Sequence, residues 1–300
     1  MPRISLRDLA THGVIGLLKI LAYLPYRGLS ALVSLLAFVG YYGAKRRVRI
    51  MRRNLEACFP ELSLHQREIW LKANLRYVIW GGVQTLMAWE WSNQRLLKTV
   101  RYRYEGLEIL HKAHASGQGA ILCGAHFTCL ELIGRIFGLE HSFNLVYQKH
   151  KNPVFEAWMS RSRKRYVHQL IDRYDIRAMV KTLKTGGMLW YAPDQDMGAD
   201  RSAFVDFFGI PTATVKATSR LAKMGQAVVI PVCFYQEETG GFVLKISPPF
   251  EPFPSGDETQ DVLRYSQFVE AAVRTHPLQY LWSHRRFKTR PQGALPFYDL

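Results

Sequence analysis

The sequence predicts an α/β fold: a mixed central sheet flanked by helices, preceded by an N-terminal membrane-anchoring helix. Three observations predict it. Short apolar runs of strand length alternate with helical stretches of ten or more residues across residues 100–275. The chain has 300 residues, of which 48% are hydrophobic and 13% aromatic, enough for a sizeable core. Residues 14–44 are strongly apolar and are followed at once by a basic cluster.

The apolar N-terminus has two parts. Val14 to Leu24 carries Lys19 and is followed by Pro25, and Gly28 to Ala44 runs 17 residues without a charge. A full span needs about 20 apolar residues, with about 17 as the lower limit. The segment 1–44 is therefore expected to anchor the chain, as a single span or as a hairpin lying in the interface. Lys45, Arg46, Arg47, Arg49, Arg52 and Arg53 follow with no acidic residue among them. Cations beside an anchor favour the cytoplasmic side and attract anionic headgroups. This places residues 45–300 in the cytoplasm against the inner leaflet, as the catalytic part of the chain.

Residues 61–92 are expected to be helical, with Ile69, Leu71, Leu75, Val78 and Ile79 at helical spacing. A short strand at 100–104 and a helix from Leu107 to Ala115, ending near Gly117, come next. Ala120–Cys123 reads as a buried strand, Leu130–Phe137 as a helix and Phe143–Tyr147 as a strand. A long helix is expected from Pro153 to Leu170, bearing Arg161, Arg163, Lys164 and Arg165. Asp175 to Lys184 is a helix closed by Gly186-Gly187. Met188–Tyr191 is a strand running into Pro193-Asp194-Gln195-Asp196. Ala213 to Met224 is a helix, Ala227–Phe234 and Phe242–Ile246 are strands, and Val262 to Thr275 is a helix.

Ligands gather at the carboxyl ends of strands in such sheets. His126 and Asp194 each follow an apolar strand. The stretch GAILCGAHFTCLELIGR delivers His126 at a strand-to-helix junction, with Glu131 five residues on. An imidazole titrates near neutral pH, so it can take a proton from a hydroxyl and return it. A nearby carboxylate fixes the tautomer and stabilises the imidazolium. No serine or cysteine nucleophile signature accompanies the pair, which points to direct transfer to a bound hydroxyl. Thr128-x-x-Glu131 is also a capping box, which explains the same glutamate structurally. Asp194 and Asp196 read as a metal pair, a helix cap or a loop brace. Arg163 and Arg165 suit bidentate binding of phosphate or carboxylate, or a solvated basic helix face.

The net charge is +16, from 40 Lys and Arg against 24 Asp and Glu. It favours anionic partners: nucleic acid, anionic lipid, phosphorylated substrates or an acidic protein. Cys58, Cys123, Cys129 and Cys233 are scattered without zinc spacing and read as buried free thiols.

Several long blocks in order resemble the bacterial lipid A late acyltransferases, the lauroyl/myristoyl enzymes of lipopolysaccharide assembly. They are Asn54-Leu-Glu-Ala-Cys-Phe-Pro-Glu61, Gly124-Ala-His-Phe-Thr-Cys-Leu-Glu131, Trp190-Tyr-Ala-Pro-Asp-Gln-Asp196, Phe204-Val-Asp-Phe-Phe-Gly209 and the block from Tyr280 to Pro291. The second carries a His-x4-acid motif, with Glu where glycerophosphate acyltransferases usually have Asp. The resemblance implies a glycerophosphate acyltransferase-like fold at the inner membrane of a Gram-negative cell. It implies transfer of a laurate- or myristate-class chain from acyl carrier protein to the hydroxyl of a 3-hydroxyacyl chain on a Kdo-bearing lipid A precursor. His126 would be the general base and Glu131 its orienting carboxylate. Arg163, Arg165, Asp194 and Asp196 would be substrate-binding. The implied partners are acyl carrier protein, the lipid A precursor and inner-leaflet lipids, without a cofactor or metal.

Three readings of other kinds compete. A nucleic-acid binder would use the charge, but no binding motif is present and the apolar N-terminus serves it poorly. A lipid-binding carrier would do no chemistry, and a thioesterase would hydrolyse the acyl donor.

Overall fold

The computed structural model describes residues 5–298. Eleven helices and nine strands are found there. The first five helices come before any strand: α1 (Leu6–Leu21), α2 (Tyr26–Gly43), α3 (Lys45–Cys58), α4 (Leu64–Glu90) and α5 (Asn93–Thr99). Then follow β1 (Tyr102–Glu105), α6 (Leu107–Ala115), β2 (Ala120–Cys123), α7 (Leu130–Glu140), β3 (Asn144–Tyr147), α8 (Pro153–Arg163), β4 (Gln169–Asp172), α9 (Ile176–Lys184) and β5 (Met188–Tyr191). The chain closes with β6 (Ser202–Phe207), β7 (Ile210–Val215), α10 (Ala217–Gly225), β8 (Val228–Gln236), β9 (Phe242–Ile246) and α11 (Glu258–Thr275).

Seven strands form one mixed sheet in the order β1-β9-β8-β2-β5-β3-β4. Only the β8–β9 pair is antiparallel; the other neighbours run parallel. β6 and β7 make a separate antiparallel pair. β2 sits at the centre with all four residues buried, which is why AILC is a continuous apolar run rather than an alternating one. One large apolar core joins the sheet to its helices, and Phe137, Phe143, Trp190 and Phe234 interlock within it.

The α/β alternation is thus as the sequence predicts, with local differences. The helix expected over 153–170 ends at Arg163, and β4 follows as an edge strand. Its basic run Arg161–Arg165 reads as a helix face, but the chain turns at Lys164 so that Tyr166 and Val167 bury their side chains. The helix expected over 213–224 begins only at Ala217, because 210–215 pairs with β6, a strand the periodicity does not announce.

Of the two N-terminal alternatives, the single straight span is not seen, although α2 and α3 together pass as a bent pair by length and composition. No single helix among the described residues is long and apolar enough to cross a membrane. α2 has 18 residues, about 27 Å at 1.5 Å per residue against a hydrocarbon core of about 30 Å. It also breaks by 90° into the basic helix α3. One face of α2 packs on α4, burying Leu29 and Val33. The remainder leaves Leu35, Leu36, Phe38, Val39 and Tyr42 exposed, and α1 likewise exposes Leu6, Leu9, Val14, Leu17 and Ile20.

Candidate active site

β2 and β5 are neighbours and parallel, with Cys123 opposite Tyr191. The Gly124 amide still donates to the Tyr191 carbonyl at 3.0 Å. Counting three residues past each strand end gives His126 and Asp194. Equal offsets beyond a parallel register place the two side by side. The His126 ring Nδ1 lies 2.5 Å from Asp194 Oδ1, and the His126 backbone amide donates to Asp194 Oδ2 at 3.0 Å. Tyr280 donates its hydroxyl to the same Oδ2 at 3.1 Å. Asp194 is 2% exposed, while the His126 side chain keeps 27%, so the pair has a closed end and an open end.

The surroundings hold this loop tightly. The Thr128 amide donates to the Gln279 carbonyl at 2.8 Å, and the Leu281 amide to the His126 carbonyl at 3.0 Å. The Asn74 side-chain amide bonds the carbonyls of Leu278 and Tyr280, each at 2.8 Å. From behind, α4 comes so close that a Cβ on Gly81 would lie 2.4 Å from the Thr128 carbonyl oxygen. Only glycine fits there.

Electrostatics follow from the geometry. Burial disfavours a charged imidazole, but the Asp194 carboxylate outweighs it by charge and hydrogen bond, so His126 titrates above its ordinary value. Burial would raise Asp194; the His126 charge and hydrogen bonds prevail and hold it below the usual carboxylate range.

Glu131 lies elsewhere. Its Oε1 accepts from Trp89 Nε1 at 2.7 Å, Arg163 Nε at 2.8 Å and the Tyr166 hydroxyl at 2.6 Å, and its Oε2 from Arg163 Nη2 at 2.6 Å. This corrects the sequence expectation: the carboxylate on the His126 ring is that of Asp194, and Glu131 is fully engaged by α4, α8 and Tyr166. The capping-box reading fails for the same reason, since α7 starts at Leu130 without a side-chain cap. Burial alone would raise Glu131, yet the Arg163 charge and the donors around it lower it.

The other expected site residues separate. Arg163 lines the cavity beside Glu131. Arg165 does not: its guanidinium donates to the carbonyls of Trp89 at 2.6 Å and Trp91 at 2.9 Å, capping the C-terminus of α4. Asp196 accepts from the Thr289 amide and hydroxyl, both at 2.7 Å, and from the Gly198 amide at 3.0 Å. It braces the loop after β5 against the C-terminal segment, and no group of three or more His, Cys, Asp or Glu side chains that could hold a metal is found among the described residues. The amides of Phe127, Thr128 and Leu130 are each bonded to a backbone carbonyl, which removes them as donors to an oxyanion. All four cysteines are free and buried, as the sequence suggests.

His126, Glu131 and Arg163 open onto a cavity of about 680 Å³, within the roughly 300–1,000 Å³ typical of small-molecule sites. Its buried lining includes Phe143, Trp190 and Leu221, and its more exposed lining carries Arg173, Arg201, Lys216 and Arg220. An apolar interior beneath a basic mouth suits an amphiphile with an anionic head. Sequence reasoning missed those mouth residues and Tyr280, which join the site only through tertiary packing.

The site is a histidine–carboxylate pair at the end of a mixed α/β sheet, beside an apolar cavity with a basic mouth. The chain matches the family model described as bacterial lipid A biosynthesis acyltransferase over residues 4–289, and it belongs to that family. It is 36% identical to the lipid A biosynthesis palmitoleoyltransferase of Escherichia coli strain K12 over 286 residues, covering 95% of this chain and 92% of that one. It is also 36% identical to the lauroyltransferase of the same strain over 282 residues, covering 93% and 92%. A lipid A biosynthesis acyltransferase of Haemophilus influenzae is 39% identical over 259 residues, covering 85% and 82%. Among solved structures, a Thermotoga maritima 1-acyl-sn-glycerophosphate acyltransferase is a distant likeness, at 17% identity and a TM-score of 0.40 over 84% of this chain and 96% of that one. The protein is therefore an enzyme, an acyltransferase of lipid A biosynthesis, and the reading as a carrier without chemistry falls away.

Proposed function

We propose that the chain transfers a fatty acyl group of the laurate or myristate class from the thioester of acyl carrier protein to the hydroxyl of a 3-hydroxyacyl chain on a Kdo-bearing lipid A precursor. The observation that carries the reaction is the His126–Asp194 pair at the mouth of the apolar cavity. Asp194 fixes the ring through Nδ1, leaving Nε2 as the base. The hydroxyl loses its proton to Nε2 as its oxygen attacks the thioester carbonyl. The tetrahedral intermediate collapses, the C–S bond breaks, and the proton returns to the departing thiolate of the carrier's prosthetic arm. The apolar lining receives acyl chain, and the cations at the mouth suit acceptor phosphates and an acidic carrier.

Glu131 and Arg163 have a second role in this reading. Their ion pair holds α7 against α8 and keeps one wall of the cavity in place. Arg163 Nη1, which makes no hydrogen bond among the described residues, is the nearest thing in that wall to a donor for the oxyanion.

Residues 1–44 attach the chain to the inner membrane by the exposed apolar faces of α1 and α2, with the remainder on the cytoplasmic side. The exposed leucine-rich faces and the cationic start of α3 support this placement.

The test is an assay with purified protein, acyl carrier protein loaded with laurate or myristate, and a Kdo-bearing precursor. Mass spectrometry should show one added acyl group in ester linkage to the 3-hydroxyacyl chain. Release of free fatty acid without acylated acceptor would favour a thioesterase instead.

A further inference from the structure

A second cavity, of about 250 Å³, lies on the other side of the loop after β5. It is lined by Arg46, Arg47, Ile50, Asp196, His284, Arg285 and Lys288. The cations come from two distant segments, the first turn of α3 and the C-terminal segment, so the fold itself assembles them. Their opposing charge is committed already. Asp196 is bonded to Thr289 and Gly198, with Lys288 Nζ only at 4.0 Å. His284 is neutral: burial pushes it down to about 4, and its Nε2 accepts from the Asp196 amide. Arg46 and Arg285 make no side-chain hydrogen bond or ion pair among the described residues, and Arg47 makes one, to the Ser283 carbonyl at 3.1 Å.

The α3 start adds to this excess. Its first turn bears basic residues, no acidic residue, and no side-chain cap. Cations are disfavoured at a helix N-terminus, where the dipole is positive, and an anion there relieves both. The position also matters. The exposed apolar residues Phe38, Val39 and Tyr42 end just before the 90° elbow into α3. With α2 lying in the acyl layer, the elbow and this cavity stand at headgroup level.

We propose that Arg46, Arg47, Arg285 and Lys288 bind the phosphate of an anionic lipid headgroup, at a site separate from the catalytic cavity. The proposal goes beyond the transfer reaction but rests on the interfacial placement of α1 and α2. The site would seat the enzyme at a defined depth and orientation on the membrane, with the catalytic mouth facing the lipid acceptor.

The test is flotation of the full-length protein with three kinds of vesicle. One is uncharged digalactosyldiacylglycerol; another is the same lipid doped with phosphatidate; the third is doped to equal surface charge with a fatty acid. Binding to uncharged vesicles reads the apolar helices alone, so failure of the interfacial placement shows there and is distinct from failure of the phosphate site. The variant R46A/R285A removes two side chains with no bond in the fold. It should bind phosphatidate vesicles about tenfold more weakly and the other two kinds as the parent does. K181A/K184A, which removes the same charge from exposed α9, should behave as the parent on all three. Equal losses for K181A/K184A, or equal losses of R46A/R285A on fatty-acid vesicles, would mean diffuse attraction and overturn the site. No loss on phosphatidate would overturn it as well. Displacement of the parent from phosphatidate vesicles by inorganic phosphate, but not by sulfate at equal ionic strength, is expected of a phosphate site; equal displacement by both anions would mean diffuse attraction and overturn it.

Discussion

Two buried carboxylates lie close to the cavity, Glu131 in its lining and Asp194 behind His126, and their partners differ. Asp194 is buried behind a histidine that keeps an open edge. Glu131 is surrounded by Arg163, Tyr166 and Trp89, and neither of its oxygens bonds the His126 ring. The first arrangement leaves His126 Nε2 without a hydrogen bond among the described residues; the second rings the carboxylate with donors. Chemistry needs the former, because a group that moves a proton must have a place to receive it. Wall strength needs the latter, because a buried charge is tolerated only when fully paired.

Substitutions can break this contrast. The largest expected effect is that of H126A, which removes the proposed base. Acyl transfer should fall by about 10⁴-fold, toward the upper end for a general base, with thermal stability of the detergent-purified protein changed far less. Steady-state turnover on the purified precursor measures it.

D194N keeps the shape and removes the charge. Transfer should fall by about 10²-fold or more. A pH profile adds a sharper readout. In the proposed mechanism the neutral His126 ring is the active form, so kcat/KM should fall as pH drops through its raised pKa. Without the Asp194 charge that acidic limb should move to lower pH. An unmoved limb in D194N would assign the titration to another group.

E131Q should show the opposite balance. It leaves the Arg163 guanidinium buried without its partner, a change that costs about 3–5 kcal/mol for buried pairs. The melting temperature should drop markedly while the folded enzyme retains more turnover than D194N. The sign with pH differs too. Glu131 is lowered in the folded protein, so its contribution is present above its unfolded pKa and is lost as pH falls through the folded one. His126 is raised, so its pairing with Asp194 stabilises below its unfolded pKa and fades as pH rises through the folded value. If E131Q loses turnover as severely as D194N at full stability, the division of labour drawn between the two carboxylates is wrong.

R165A is the smallest expected effect. It removes two charge-assisted bonds to the end of α4, worth about 1–2 kcal/mol in stability at such a partly exposed site. The KM for precursor should stay where it is, which direct titration with the acceptor checks.

The sheet was legible because its strands are apolar runs bounded by turn residues, and Ala120–Cys123 and Met188–Tyr191 stood out on that basis. β4, β6 and β7 were not. Gln169–Asp172 is a four-residue edge strand with mixed polarity, and 202–215 owes its form to pairing with itself and packing under α11. The histidine was legible from its place after a buried strand. Its partner was misassigned because Glu131 is close in sequence while Asp194 is 68 residues away.

By itself, then, the sequence determined the α/β class, the strand that presents His126, the apolar N-terminus and the family to which the chain belongs. Those are properties of local pattern and of long ordered blocks. Tertiary structure alone decided that Asp194 meets His126, that Glu131 closes on Arg163, and that basic residues from the α3 start and the C-terminal segment share one cavity. Each depends on which strands become neighbours and in what register, and that is set by global packing of the core rather than by the residues on either side of a motif.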